Sequence, residues 1–373
     1  MRKSRITTIV GTRPELIRLS CILEKFDIVF DHRIVHTGQN SDPMLSDVFI
    51  NEMEIREPDV FLGVPTNSLA NFCAGLFIEI EQEFNLNPPD AVVILGDTNS
   101  ALAGIIAKRR GIPVYHLEAG NRSFDSNVPE EINRKIVDHF SDYNLAYTQS
   151  AKENLIKEGV PVDTLTVIGS PLQEVLAKYR GKIDQSLILE ELKIVSKEFF
   201  LVSAHRQENV DYDSRLEVLV ESLNWIGSNF NIPVVVSTHP RTRDKLSKYI
   251  SGLNQNILLH EPFGFFDYIK LQLNARIVFS DSGSVSEEAA ILGFPAVTIR
   301  DSMERPEALE SGSVIMSGIA KEGISEAIYI ISNLPRSASI PIDYQITDTS
   351  TRVVNFIAST LHSHDFRFGL RKK

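Results

Sequence analysis

Short runs of β-branched and aliphatic residues alternate with longer amphipathic stretches in the first half of the chain. The expected strands are Ile6–Val10, Arg33–Thr37, Ala91–Leu95, Pro113–Leu117 and Asn144–Tyr147. Continuous apolar runs of this kind are typical of parallel strands that are covered by helices on both faces. The pattern therefore predicts a doubly wound, Rossmann-like α/β domain over residues 1–170.

The strand rhythm stops in a charged, helix-like stretch between Gly169 and Glu198 and then starts again. Six further runs follow, namely Phe199–Ser203, Ile232–Ser237, Ile257–Leu259, Arg276–Ser280, Ala296–Arg300 and Val314–Met316. They predict a second Rossmann-like domain over residues 171–350. Since ligands of such sheets bind beyond the carboxyl ends of the strands, we expect the site in a cleft between the two domains. Residues 351–373 are expected to form a helix that packs back on the first domain, followed by a basic tail.

Composition excludes several classes of protein. The chain has 373 residues, and 38 Lys and Arg against 49 Asp and Glu give a net charge of −11, which disfavours a nucleic-acid partner. No apolar run reaches the roughly 18 residues of a transmembrane helix, and the first apolar run is too short for a signal peptide. We therefore expect a cytoplasmic protein. Cys21 and Cys73 are not spaced as metal ligands, and no metal is expected.

Gly11-Thr-Arg-Pro-Glu15 directly follows the first expected strand and opens the first helix. Arg13 would stand beside the exposed N–H groups of that helix, an arrangement that suits a diphosphate. The same residues also occur as ordinary surface at a helix start. They do not form the G-x-G-x-x-G fingerprint, so nothing here indicates a nicotinamide cofactor.

A second loop of this kind lies in Phe279–Glu288, where a strand ends and a helix begins. Ser282, Gly283 and Ser284 could offer N–H and hydroxyl donors to phosphate oxygens, and Glu288 could accept from ribose hydroxyls. Alternatively, the serines only cap the helix and the glutamates complement its dipole. Two phosphate-type loops in one chain favour a nucleotide ligand.

Three carboxylates and one histidine follow expected strand ends. Asp97, Glu118 and Glu130 belong to the first half, and His205 ends the first strand of the second half beside Arg206. Each alone is more typical of a turn cap, a surface charge or a structural histidine. A cluster of carboxylates beside a leaving diphosphate, however, suits general acid/base catalysis.

Taken together, these motifs resemble the non-hydrolysing UDP-N-acetylglucosamine 2-epimerase family. The resemblance extends over nearly the whole chain and includes Gly11–Glu15, His36–Gln39, Gly96–Thr98, His116–Gly120 with Arg122, Pro129–Arg134, His205-Arg206, Asp281–Gly283 with Glu287-Glu288, and Arg300-Asp301 with Glu304–Glu307. It implies a GT-B architecture, UDP bound between the domains, a homodimer, an isomerase activity and no cofactor.

The resemblance also implies the roles of individual residues. UDP leaves C1 of the sugar, a 2-acetamidoglycal forms, and UDP adds back after a proton returns to the opposite face of C2. On this basis Asp97 and Glu130 would transfer the protons, Glu118 would position groups or tune a pKa, and His205 would act on the diphosphate side. The implied UDP-binding residues are Arg13, Ser282, Gly283, Ser284 and Glu288.

Departures from the family pattern bear on the substrate. Gly283-Ser284 replaces a pair of glycines, and Asn40–Met44 differs from the usual activator segment, so activation by substrate is not expected. Gly169–Pro171, Thr238–Arg243 and Pro262–Tyr268 are more similar to the branch that forms UDP-N-acetyl-L-fucosamine from its L-talose epimer for surface polysaccharides. The UDP-N-acetylglucosamine/mannosamine pair remains the other candidate.

Other functions compete with this interpretation. A GT-B glycosyltransferase that uses a UDP-sugar donor shares the fold and the nucleotide site, but it needs an acceptor and would not exchange the C2 hydrogen. A hydrolysing epimerase would release free UDP and sugar. A non-catalytic UDP-sugar sensor would not need the three carboxylates.

Overall fold

The computed structural model describes residues 2–40, 52–238, 240–334 and 339–370. His239 of the Thr238–Arg243 segment, most of the Asn40–Met44 segment and the last three residues of the basic tail therefore lie outside the described residues. The chain divides into two compact units. Unit 1 comprises Met1–Arg122, Val128–Ala177 and Asp343–Lys373, and unit 2 comprises Ser123–Asn127 and Lys178–Ile342.

Unit 1 is built on a parallel sheet that has seven strands within the described residues. Their order across the sheet is β3-β2-β1-β4-β5-β6-β7. The strands are β1 (Arg5–Val10), β2 (Asp31–His36), β3 (Val60–Phe61), β4 (Ala91–Leu95), β5 (Val114–Leu117), β6 (Tyr143–Ala146) and β7 (Leu165–Val167). The central strand β4 is buried along its whole length, as expected for a sheet with helices on both faces.

The helices of unit 1 connect these strands and cover the sheet. They are Arg13–Val29, Leu69–Leu86, Gly104–Arg109, Glu130–Phe140, Gln149–Lys157 and Pro171–Lys178, followed near the C-terminus by Thr349–Thr360 and His364–Arg367. The C-terminal helix Thr349–Thr360 packs against Arg13–Val29, and its Val353 and Ile357 side chains are fully buried. No helix in the described part of the chain is long and apolar enough to cross a membrane.

Unit 2 contains a second parallel sheet, with six strands in the described ranges. Their order is β10-β9-β8-β11-β12-β13. The strands are β8 (Phe200–Ser203), β9 (Val234–Ser237), β10 (Ile257–His260), β11 (Ile277–Ser280), β12 (Ala296–Thr298) and β13 (Val314–Met316). Its helices are Arg180–Gln185, Ile188–Glu191, Gln207–Val210, Asp213–Phe230, Pro240–Leu246, Phe265–Asn274, Ser284–Leu292, Glu307–Glu310 and Lys321–Asn333.

The predicted fold class, α/β with two Rossmann-like parallel sheets, is confirmed. All eleven expected strands are present, with bounds that differ by at most two residues. The sequence did not indicate β3 and β7, because two- and three-residue strands at the sheet edges carry too few apolar positions to form a pattern.

Candidate active site

The expected site residues of unit 1 follow three strands that are neighbours in the sheet. Arg13 follows β1, Asp97 follows β4 and Glu118 follows β5. Because the strands are parallel, their carboxyl ends lie at one edge. The parallel arrangement of these strands thus places the three residues at the same edge of the sheet in unit 1.

The turn after β1 is held by Glu15, which the sequence analysis did not single out. Its Oε2 accepts the N–H groups of Gly11 at 2.9 Å and Thr12 at 2.7 Å, together with the Thr12 hydroxyl at 2.8 Å. Oε1 accepts the hydroxyl of Thr98 at 3.0 Å. Glu15 therefore joins the turn that carries Arg13 to the turn that carries Asp97.

This turn also contains a carboxylate with a shifted pKa and a tightly packed glycine. Burial raises the pKa of Glu15 to about 7, although the four donors around it favour the ionised form. A Cβ at Gly11 would lie 1.9 Å from Oγ of Ser100. Gly11 is thus required by the close approach of Ser100.

Asp97 forms an ion pair with a buried arginine. Arg134 Nη2 lies 2.7 Å from Asp97 Oδ2, and the two side chains are 7% and 25% exposed. The same guanidinium contacts Oε2 of Glu131 through Nη1 at 3.1 Å. Asn133, the preceding residue, donates to the backbone carbonyl of Asp97 at 3.0 Å. The carboxylate of Asp97 is held from one side and remains partly accessible.

Glu130 is the first residue of the helix that supplies these contacts, Glu130–Phe140, and it is half-buried. Asn133 and Arg134 lie one turn further along the same helix. The segments that carry Glu130 and Asp97 are therefore fixed to each other by direct contacts.

Glu118 has a left-handed backbone conformation, with φ of 66°. This conformation is strained for a residue other than glycine and often occurs at functional sites. Arg18 Nε lies 3.8 Å from its Oε2, and Asn121 donates to its Oε1 at 3.3 Å.

The strand that leads to Glu118 is tied to the Asp97 turn by His116. Nε2 of His116 lies 2.9 Å from the carbonyl oxygen of Gly96, and Nδ1 lies 2.9 Å from Asp138 Oδ1. Asp138 also pairs with Arg122 at 2.7 Å and accepts from the Gly120 N–H. The turn Gly96–Asn99 is thus the meeting point of the segments that carry Arg13, Glu118 and Glu130.

In unit 2, His205 is held by the buried carboxylate of Asp281. Asp281 accepts the backbone N–H groups of His205 and Arg206 at 3.0 Å, and its Oδ1 lies 3.3 Å from Nδ1 of the His205 ring. Asn209 also donates to it at 3.1 Å. The His205 side chain is 46% exposed while Asp281 is fully buried, so the ring is anchored at Nδ1 and remains partly accessible.

The loop after β11 has the expected strand-to-helix geometry, with Gly283 as the residue that precedes the helix Ser284–Leu292. The hydroxyls of Ser282 and Ser284 lie 3.1 Å apart, and the Ser282 hydroxyl also accepts the backbone N–H of Ser284, the first residue of the helix, at 3.4 Å. Glu288 is buried and accepts from Gln272 Nε2 at 2.5 Å. Unit 2 therefore contains both the hydroxyls of the loop and the Glu288 carboxylate, which Gln272 holds in place.

Gly283 lies against a buried group of charged side chains. Its Cβ, if present, would lie 2.1 Å from Oε1 of Glu304 and 2.4 Å from Nη1 of Arg305. Glu304 also contacts Arg206 at 3.2 Å and Arg300 at 2.5 Å. Glu304 thus contacts three guanidinium groups, and Arg305 also lies 3.6 Å from Glu287, so arginine and glutamate side chains pack together at the base of the loop.

Comparison with known proteins defines the family. The family model described as UDP-N-acetylglucosamine 2-epimerase matches residues 25–358. The chain belongs to the UDP-N-acetylglucosamine 2-epimerase family. The prediction of an isomerase is thereby confirmed, and the family part of the resemblance is confirmed with it.

Solved structures of family members resemble the whole chain. The structure of UDP-N-acetylglucosamine 2-epimerase from Rickettsia bellii is 40% identical, covers 98% of both chains and has a TM-score of 0.92. The Methanocaldococcus jannaschii UDP-GlcNAc 2-epimerase in complex with UDP-GlcNAc and UDP is 34% identical, with 95% of this chain and 99% of that chain covered and a TM-score of 0.89. The predicted GT-B type of fold is confirmed.

The family also contains a relative named for another sugar. The UDP-2,3-diacetamido-2,3-dideoxy-D-glucuronate 2-epimerase of Pseudomonas aeruginosa is 34% identical over 328 residues, which cover 87% of this chain and 91% of that protein. Membership of the epimerase family therefore does not by itself identify the sugar.

Glu15, Arg134, Asp281 and Glu304 lie in the motifs that carry the family resemblance, but the sequence analysis gave none of them a role. Glu15 carried a further local signal, because Thr12 and Glu15 form the T-x-x-E spacing of a capping box, which the structure contains. The other three act on residues tens of positions away in the chain. Among the described residues, no group of three His, Cys, Asp or Glu side chains could hold a metal ion.

Proposed function

We propose that the protein is a non-hydrolysing 2-epimerase that reversibly inverts C2 of a UDP-N-acetylhexosamine. Family membership supports the reaction class. The observation that carries the proposal is the convergence of the Arg13, Glu118 and Glu130 segments on the Gly96–Asn99 turn, because it gathers three acids at one edge of a sheet.

The reaction requires an acid/base site of this kind. The C2 hydrogen of an acetamido sugar is not adjacent to a carbonyl, so its direct removal would be very costly. Cleavage of the C1–O bond gives the ring oxocarbenium character, a carboxylate takes the C2 proton, and a 2-acetamidoglycal and UDP remain. Protonation of the opposite face of C2 and re-addition of UDP to C1 then give the epimer.

We assign the proton transfers to Asp97 and Glu130, and a positioning or pKa-tuning role to Glu118. His205 would act on the diphosphate side, where an imidazole anchored by Asp281 can donate to the leaving group. The UDP itself would be bound by Arg13, Ser282, Gly283, Ser284 and Glu288. The hydroxyls of Ser282 and Ser284 beside the start of the helix Ser284–Leu292 support this assignment.

For the substrate we favour the 6-deoxy-L-talose/L-fucosamine pair, with the UDP-N-acetylglucosamine/mannosamine pair as the alternative. The motifs that favour the first pair are Gly169–Pro171, Thr238–Arg243 and Pro262–Tyr268. The product would serve as a precursor of surface polysaccharide.

We also propose a cytoplasmic homodimer. In unit 1 the helices Leu69–Leu86 and Glu130–Phe140 expose Ile78 and Ile132, which are 57% and 63% accessible in the single chain. Both helices contact the helix Gly104–Arg109, and exposed apolar side chains are typical of subunit interfaces when they form one patch. Light scattering of the purified protein at several concentrations measures its mass directly, and a monomer throughout would contradict the dimer.

Exchange at C2 tests the reaction. The protein is incubated in deuterium oxide with each UDP-sugar and no acceptor, and C2 is followed by NMR. We expect deuterated epimer with UDP still attached, and the sugar that reacts identifies the branch. Turnover without label at C2 would contradict the mechanism, and release of free sugar would indicate a hydrolysing enzyme.

Amide variants test the assigned acids. Asp97→Asn and Glu130→Gln keep the size of each side chain but remove its basic oxygen, so each should lower C2 exchange by about 100-fold or more. UDP binding, measured by calorimetry, should remain. Wild-type exchange in either variant would remove that residue from the proton transfers.

A further inference from the structure

Arg134 is a buried arginine of unit 1 that contacts two carboxylates at once. It is 7% exposed, and its two terminal nitrogens contact different carboxylates, Asp97 at 2.7 Å and Glu131 at 3.1 Å. A planar guanidinium can bridge two carboxylates in fixed directions, whereas an ammonium group cannot hold both in this way. The side chain of Asp97 is thereby confined to one orientation.

The backbone around Asp97 is held by the same helix. Asn133 donates to the carbonyl oxygen of Asp97 and to the side-chain oxygen of Asn99, both at 3.0 Å. The helix therefore fixes the turn through Asn133 and the carboxylate through Arg134. Because Glu130 begins this helix, the distance between the two proposed proton-transfer groups depends on these contacts.

We propose that Arg134 is a positioning residue that holds the Asp97 carboxylate in its reactive orientation. The inference rests on the proposed function, since it concerns the proton transfer assigned to Asp97. The guanidinium lies on the buried side of the carboxylate, and the 25% of Asp97 that remains accessible is available to substrate. Arg134 itself needs no contact with the sugar.

The main test compares Arg134→Met with Lys135→Met. Lys135 is the next residue of the helix and is exposed, so its replacement removes a charge from the same element without touching Asp97. A catalytic group misplaced by about 1 Å can cost about 100-fold in rate, and we expect a loss of that order in kcat for Arg134→Met. The dissociation constant of UDP should change by less than about threefold, because UDP is assigned to other residues.

A structural defect would give a different result. Turnover is therefore normalised to the number of UDP-binding sites measured by calorimetry, so that an unfolded fraction lowers the number of sites and not the rate per site. Arg134→Lys keeps the positive charge but lacks the planar guanidinium with its paired N–H donors. We expect this variant to turn over about tenfold faster than Arg134→Met.

The outcomes separate the two proposals. Arg134→Met with the same rate per site as Lys135→Met, in an active wild-type background, would overturn the role of Arg134 alone. A loss that is fully explained by missing UDP-binding sites would overturn it as well. Wild-type protein that shows no C2 exchange with any UDP-N-acetylhexosamine would overturn the proposed function and the inference together.

Discussion

Glu15 illustrates how one side chain can combine a structural and an electrostatic role. It is 2% exposed and connects the turn after β1 to the turn after β4 through four accepted hydrogen bonds. These donors favour the carboxylate, but desolvation is the larger effect and raises the pKa from 4.5 to about 7. The residue therefore changes charge in the folded protein near neutral pH.

This shift predicts a pH dependence of stability. Between pH 4.5 and 7 the folded state retains a proton on Glu15 that the unfolded state has lost, so the free energy of unfolding falls as pH rises through this window. The full effect is about 3 kcal/mol, and it is lost above the folded pKa. Urea unfolding of wild type and Glu15→Gln at pH 5 and pH 8 measures it.

The expected result is that the stability of wild type relative to Glu15→Gln is higher at pH 5 than at pH 8 by about 2 to 3 kcal/mol. Glu24→Gln, which changes an exposed carboxylate of the same helix, serves as the control. A difference that does not vary with pH, or varies in the opposite sense, would show that Glu15 is ionised throughout this range.

At the level of single residues, the sequence could predict candidates but not their partners. Asp97, Glu118 and His205 were identifiable because they follow apolar runs that end in a turn. The contact of Glu15 with Thr98 spans 83 positions and that of His205 with Asp281 spans 76. Such contacts depend on the order of strands in the sheet, which hydrophobic patterning does not specify.

At the level of strands and helices, features that depend on consecutive residues were predictable, and features that depend on distant residues were not. The strands were predictable because each presents several consecutive apolar residues, and the junctions after β1 and β11 were recognisable from small residues before a helix. The reason for glycine at position 283 was not predictable. Its φ of −63° is accessible to any residue, and only the nearby Glu304 and Arg305 exclude a side chain there.

Gly283→Ala is accordingly expected to weaken UDP binding. The added Cβ would lie 2.1 Å from Glu304, which cannot move freely because it is 4% exposed and contacts three guanidinium groups. Overpacking of this kind costs about 1 to 3 kcal/mol. If that cost falls on the loop, the UDP affinity should fall by roughly 5- to 150-fold. Calorimetric titration with UDP measures the change.

Gly181→Ala provides the matched control for this measurement. Gly181 lies in the helix Arg180–Gln185 of the same unit, and its Cβ would meet no atom within 4 Å. Its substitution should leave UDP affinity unchanged. If both variants bound UDP equally well, the charged cluster would not restrict the loop as the structure indicates.

On the scale of the whole molecule, unit 1 is completed by the end of the chain. The helix Thr349–Thr360 returns to it after unit 2, and Ser350 binds Glu174 through both its N–H and its hydroxyl. The apolar positions of this helix predicted that one of its faces packs against the rest of the protein. The surface that it covers is determined by long-range contacts, such as the hydrogen bond between the hydroxyls of Tyr115 and Thr360 at 2.8 Å.

Removing a buried side chain from this helix should therefore destabilise unit 1 selectively. Ile357 is fully buried, and truncation of a buried isoleucine to alanine typically costs about 2 to 5 kcal/mol. In Ile357→Ala, hydrogen exchange should become faster in β1, which belongs to unit 1, and stay unchanged in β8, which belongs to unit 2. Phe366→Ala, at a side chain that is 92% exposed, is the control. Equal loss of protection in both strands would mean that the two units unfold cooperatively. The C-terminal helix would then stabilise the entire protein rather than only the unit against which it packs.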